Sequence, residues 1–194
     1  MNPEQAIAFI RERLEDGTDR QYGSEPVSEL DHALQCAALA QQDGADDELV
    51  VAALLHDFGR LVVEDHELPD SVEDHGEAVA ATQEIGHDEL GARTLAGLFS
   101  DRVLFCVGKH AQSKRYLCTT EPAYRDGLTE GSLTTLEKQG GLMNDEERST
   151  FEQSPYVADA VRVRRWDDAG KVPGMVTESL DNYLELARAQ LRGE

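Results

Sequence analysis

His56 and Asp57 stand side by side at the end of the apolar run LVVAALL, residues 49–55, and Phe58-Gly59 follow them. An imidazole and a carboxylate at a helix end can be aimed at one point. Three further histidines, His32, His87 and His110, fall in separate helix-like segments, and Asp167 follows Trp166 late in the chain. Imidazole with carboxylate suits iron, manganese or zinc, and a carboxylate can bridge two ions. A bare His-Asp pair is common by chance, whereas the ordered string His…His-Asp…His…His…Asp is far more specific. Taken singly, His32 beside Leu30, Ala33 and Leu34 reads as a core histidine that has found a hydrogen bond. Four such residues on four apolar helices would each need a separate buried partner, because burying an unpaired imidazole is costly. One shared centre of His32, His56, Asp57, His87, His110 and Asp167 satisfies all of them. His66 and His75 lie in an acidic stretch and read as solvated.

Two cations fall beside this string. Lys114 comes four residues after His110, on the same helix face, which puts an ammonium next to the expected metals. Arg164 lies within a turn of Asp167 and reads as an oxyanion clamp. The plainer alternatives are a surface lysine and an arginine that pairs with surplus acids.

These residues need helices to carry them. Helical periodicity covers about 4–15. It resumes from Ser28 to Gly44, and continues from Asp46 or Asp47 through ELVVAALLHDF to near Gly59. Further helices are expected at about 77–84 and 87–99, then over DRVLFCVGKHAQSKRYL with Ser100 as its cap, at about 130–138, and from Asn144 or Asp145. Ser154-Pro155 reads as a cap and first-turn proline opening YVADAVRVRRWDD, and a last helix covers about 176–191. Residues 64–76 read as a polar loop. Residues 19–27, with Gly and Pro, read as a mobile lid. No strand-like alternation is visible. The expectation is one all-α domain over 1–194: N-terminal helix and lid at about 1–27, metal-binding core at about 28–168, and C-terminal helix at about 172–194.

The formal net charge is −21, from 18 Lys plus Arg against 39 Asp plus Glu. That balance argues against nucleic acid as partner. It also means that an anionic substrate would need positive charge concentrated at the site. With only four lysines, the acidic surface is compatible with a salt-rich cytoplasm and equally with an ordinary soluble protein. Cys36, Cys106 and Cys118 are odd in number and lack metal-type spacing, so free thiols in a reducing compartment are expected. Neither a signal peptide nor a run long enough to span a bilayer is visible, which points to a cytoplasmic protein without membrane contact.

At the segments YGSEPVSELDHALQCA, ELVVAALLHDFG, GHDELGA, GKHAQSKRYL, SLTTLEKQGGLM and VRVRRWDDAGK, the chain resembles the PhnZ-type HD-domain oxygenases. The resemblance runs from about Tyr22 to Lys171 and implies an HD-type helical bundle. It also implies a mixed-valent Fe2+/Fe3+ diiron centre that uses O2 to cleave organophosphonates. By that resemblance His32, His56, Asp57 and Asp167 match the ligands of one iron, and Asp57 bridges to a second that His87 and His110 complete. Tyr22 matches a tyrosine that closes the vacant coordination position until substrate arrives. Glu25 matches a glutamate that moves with it and recognises the substrate's amino end. Lys114, Ser132, Gln139 and Arg164 match residues near the phosphonate. Arg60 departs from the family, which commonly has a second histidine there. An arginine cannot act as a base at ordinary pH, so it would either clamp the phosphonate or point outwards.

The implied reaction converts a small 1-hydroxyphosphonate, such as 2-amino-1-hydroxyethylphosphonate or its N-trimethyl analogue, to a carboxylate and inorganic phosphate. The assembly expected is a monomer or small homo-oligomer. Two other functions stay open on the residues alone. An HD phosphohydrolase of a nucleotide or phosphate ester would leave His87, His110, Tyr22 and Glu25 surplus. A non-catalytic metal-binding regulatory module would be favoured by a broken ligand set, and all six residues are present.

Overall fold

The computed structural model describes residues 1–62 and 86–192. The expected acidic loop, the helix at about 77–84, and the readings of His66 and His75 lie outside the described residues. Within the described residues the chain is helical throughout, with no strand and one antiparallel bridge, Gln21 to Ser28, closing the loop after the first helix.

Capping side chains set most helix starts. Asn2 forms a capping box with Gln5 at α1 (Pro3–Asp16), and the Ser28 hydroxyl accepts from the Asp31 amide at α2 (Glu29–Gln42). Asp46 caps α3 (Asp47–Leu55), whose residues Leu49–Leu55 are all buried. A helix apolar all round belongs in the middle of a bundle. Here α3 packs against α2, α6 (Asp101–Thr120), α10 (Val157–Ala169) and α11 (Leu180–Ala189). The short α4 (Phe58–Leu61) packs against α5 (His87–Thr94). The remaining helices are α7 (Pro122–Asp126), α8 (Glu130–Lys138) and α9 (Asp145–Glu152).

Several boundaries differ from the sequence expectation. The helix expected to run to Gly59 stops at Leu55. Asp57 leaves helical geometry (φ −98°, ψ 15°), and α4 restarts at Phe58. That break turns the adjacent His56 and Asp57 towards a common point. The helix expected over 87–99 ends at Thr94, before Gly97 with φ +81°. Ser154 bonds the Tyr156 amide in a local turn, so α10 begins only at Val157. The last helix waits for its Ser179 cap.

Gly59 decides how closely α4 and α5 approach. A Cβ at residue 59 would lie 1.8 Å from the His87 carbonyl oxygen and 2.7 Å from the Gly91 amide nitrogen, both rigid backbone. Gly59→Ala is therefore expected to cost about 3 kcal/mol, the upper part of the overpacking range. It would also push His87 away from Asp57. Urea unfolding together with metal content checks this, and a variant with unchanged midpoint and metal content would refute it.

Candidate metal centre and adjoining cavity

Six side chains converge from five places in the fold. His32 comes from α2, His56 and Asp57 from the α3–α4 break, His87 from the start of α5, His110 from α6 and Asp167 from α10. They form two halves. His32 Nε2 and His56 Nε2 are 3.2 Å apart, and His87 Nε2 and His110 Nε2 are 3.0 Å apart. Asp57 lies between the halves. Its Oδ1 is 3.3 Å from His87 Nε2 and 3.1 Å from His110 Nε2, while Oδ2 is 3.3 Å from His56 Nε2 and 3.8 Å from His32 Nε2. Asp167 Oδ1 is 3.4 Å from His32 Nε2.

The backbone sets the tautomers. His32 Nδ1 donates to the Gly170 carbonyl at 2.7 Å, His56 Nδ1 to Ala53 at 2.8 Å, and His110 Nδ1 to Val107 at 2.8 Å. In the neutral ring each Nε2 then carries a lone pair aimed inward. Two inward lone pairs 3.2 Å apart repel unless a cation or proton lies between them. Asp57 Oδ2 is buried and accepts no hydrogen bond among the described residues. A buried acceptor left in that state is costly. Asp57, His87 and His110 form one group able to hold a metal ion, and His32 with His56 belongs to a second. Cys36 Sγ falls within that second group, 3.8 Å from the His32 ring nitrogens, and its thiol faces the Trp166 carbonyl at 3.6 Å. The donor set thus fits two hard or borderline cations sharing a carboxylate.

Electrostatics in the metal-free chain reflect this crowding. Burial pushes the Asp57 carboxyl up, but the His56 charge and contacts with His110 and His87 outweigh it and hold it well below the usual range. Burial likewise raises Asp167, and the Arg164 guanidinium then holds it low. Burial lowers His56 and His87, yet Asp57 outweighs it and leaves both raised. His32 is lowered, burial dominating over its bond to Asp167.

The stability that His56 and His87 add to the metal-free fold is complete below their unfolded value of 6.5. It is lost as pH rises through their raised folded values. His32 acts in the opposite sense, favouring the fold above 6.5. Metal binding needs neutral imidazoles and strengthens as pH rises. The Tm gap between metal-loaded and chelator-treated protein should therefore widen with pH above 6.5. A gap independent of pH would contradict the site.

A cavity of about 610 Å³ opens beside the centre. Asp57, His87, His110 and Asp167 reach its floor, whereas His32 and His56 lie behind it and do not line it. Tyr22, Glu25, Arg60, Lys114, Ser132, Gln139 and Arg164 all line it. Lys114 is 2% exposed, and its Nζ donates to Thr135 Oγ1 at 2.5 Å. Arg164 is more committed than its expected clamp role suggests. Nη1 is 2.7 Å from Asp167 Oδ2, Nε is 3.1 Å from Asp168 Oδ2 and 3.2 Å from Tyr124 Oη, and Nη2 also bonds Asp168. Its first visible function is to orient Asp167. Arg60 is buried, so of the two expectations for it the outward one is excluded.

The Tyr22 ring stacks on His32 with centroids 3.8 Å apart, and its hydroxyl donates to Asp167 Oδ1 at 3.5 Å. Burial, then Asp167 and Asp57, pushes its phenol well above the ordinary value. Glu25 Oε1 accepts from Thr129 Oγ1 at 3.2 Å, joining the loop after α1 to the cap of α8. Sequence reasoning missed Thr135, Glu130, Lys138 and Lys171, which also line the cavity. Thr135 lies one turn beyond Ser132 and Lys171 four residues beyond Asp167, so helical spacing was the available signal. Among the described residues no helix is long and apolar enough to cross a membrane.

Comparison with known proteins is consistent with this geometry. The HD domain model matches residues 30–160. The chain is 37% identical over 181 residues to a hydroxymethylphosphonate dioxygenase of Gimesia maris, covering 93% of this chain and 86% of the relative. It is 37% identical over 188 residues to a [1-hydroxy-2-(trimethylamino)ethyl]phosphonate dioxygenase (glycine-betaine-forming) of Leisingera caerulea, covering 97% of this chain and 91% of the relative.

Proposed function

This chain belongs to the HD-domain family, in its group of phosphonate dioxygenases, and from that premise we propose that it cleaves the C–P bond of a small 1-hydroxyphosphonate with O2. The products are a carboxylate and inorganic phosphate, and both atoms of O2 enter them. The observation that carries the reading is the pair of imidazole couples bridged by Asp57 at the floor of a cavity that also presents Lys114. A hydrolase built on one metal would leave the second couple without a task.

His32, His56, Asp57 and Asp167 would hold one iron, and Asp57, His87 and His110 the other. Iron would supply Lewis acidity towards the substrate hydroxyl and the electron transfer that engages O2. The remaining work falls to the chain. Lys114, with Ser132 and Gln139, binds the phosphonate dianion and compensates negative charge as phosphate departs. Arg164 holds Asp167 in place and adds positive charge to the same wall. Tyr22 stands over His32 and shields that half from solvent. Glu25, at the lid, pairs with an ammonium at the substrate's far end. The three buried free thiols accord with a reducing, cytoplasmic setting.

Phosphate release tests the reading. Iron-loaded protein is given hydroxymethylphosphonate, 2-amino-1-hydroxyethylphosphonate and its N-trimethyl analogue, with and without O2. O2-dependent release from at least one is expected. Release from a nucleotide or phosphate ester without O2, and none from the phosphonates, would make the protein a hydrolase instead.

A further inference from the structure

Arg60 is the residue at which this chain departs from the pattern it otherwise resembles, and its surroundings give it a definite task. Its side chain is buried on α4, and Cζ lies 5.0 Å from the centroid of the Tyr22 ring. Nη2 donates to Glu29 Oε1 at 3.3 Å. Glu29 is itself only 5% exposed, in the first turn of α2, where the helix dipole favours a carboxylate. Arg20 Nη2 lies 3.8 Å from the same Glu29 oxygen and donates to the Arg60 carbonyl at 3.1 Å.

A buried guanidinium cannot shed its proton, so it needs a fixed counter-charge. Glu29 supplies one and determines where the cation sits. Guanidinium is also the cation that stacks best on an aromatic face, being planar and weakly hydrated. The Tyr22 ring, already stacked on His32 of α2, bonded to Asp167 of α10 and approached by Lys171 Nζ at 5.6 Å, thereby gains a further hold from α4.

We propose that Glu29 and Arg60 form a latch that holds Tyr22 closed over the His32–Asp167 half of the centre. Arg60 is a positioning residue that acts through Tyr22. Because Arg60 also lines the cavity, an entering dianion competes with the ring for the guanidinium. Release of Tyr22 is thus tied to the arrival of anionic charge. The inference rests on the proposed shielding role of Tyr22 and goes beyond it in naming what sets the closed state.

The test places 3-fluorotyrosine at position 22 of the full-length protein, loaded with diamagnetic zinc, and follows its 19F resonance. One dominant closed signal is expected. Arg60→Ala and Glu29→Gln should each raise the open population about tenfold, the scale of one cation–π contact. Arg60→Lys should restore part of the closed signal. Inorganic phosphate should open Tyr22 in the parent protein and add little in Arg60→Ala. Thermal unfolding verifies that each variant is folded, and Glu29→Gln supplies the same reading should Arg60→Ala unfold. An unchanged resonance in folded Arg60→Ala or Glu29→Gln overturns the latch, whatever the phosphate-release assay gives. Failure of that assay with the resonance behaving as described would overturn the reaction assignment and leave the latch standing.

Discussion

Asp57→Asn is expected to lower O2-dependent phosphate release by at least ~10³-fold and to leave the protein with no more than half its metal. The two oxygens of Asp57 face different imidazole couples, Oδ1 towards His87 and His110 and Oδ2 towards His56 and His32. A bridging carboxylate offers one anionic oxygen to each ion. An asparagine of the same shape offers one neutral oxygen and one NH2, which has no lone pair for a cation. Disturbing residues that merely support metal ligands costs about 10–100-fold, so loss of the bridge itself must exceed that. Elemental analysis and turnover, measured on the same preparation, check the claim. Two equivalents of iron retained with near-normal turnover would remove Asp57 from the bridging role.

Lys114→Ala is expected to raise the KM for the phosphonate by about 10²-fold while iron content stays near normal. The side chain is among the most buried in the molecule, one helical turn from His110, with Thr135 as its hydrogen-bonding neighbour. Removing one partner of a desolvated charge pair costs about 2–5 kcal/mol, which covers that factor. A merely structural lysine would give a different pattern, with iron content, stability and binding falling together. Lys114→Met, which fills the space without the charge, separates the two: restored stability with weak binding supports the anion site, and restored binding refutes it.

Much of this was legible along the chain, for reasons that can be traced to particular residues. Helix starts at Ser28, Asp46 and Ser100 could be read because capping is local chemistry between residues three apart. Lys114 could be placed beside His110 because four residues make one helical turn. The break at His56–Asp57 was missed, since the apolar run continues through it into Phe58 and periodicity does not register a single non-helical residue. Thr135 was missed because its role depends on where α8 lies against α6.

The sequence by itself determined the helical architecture, which rests on residue type and short-range spacing, and the identity of the six convergent side chains, which rests on their order along the chain, while its motifs carried the resemblance to the family. Only the tertiary structure decided the pairing into two imidazole couples bridged by Asp57, the commitment of Arg164 to Asp167 and Asp168, and the inward placement of Arg60 against Glu29 and Tyr22. Each of those depends on side chains brought together from separate helices, such as His32 with Gly170 or Tyr22 with Asp167. Contacts of that kind are set by how the helices pack around α3 and by the bare backbone approach at Gly59, which leave no periodic trace in the chain.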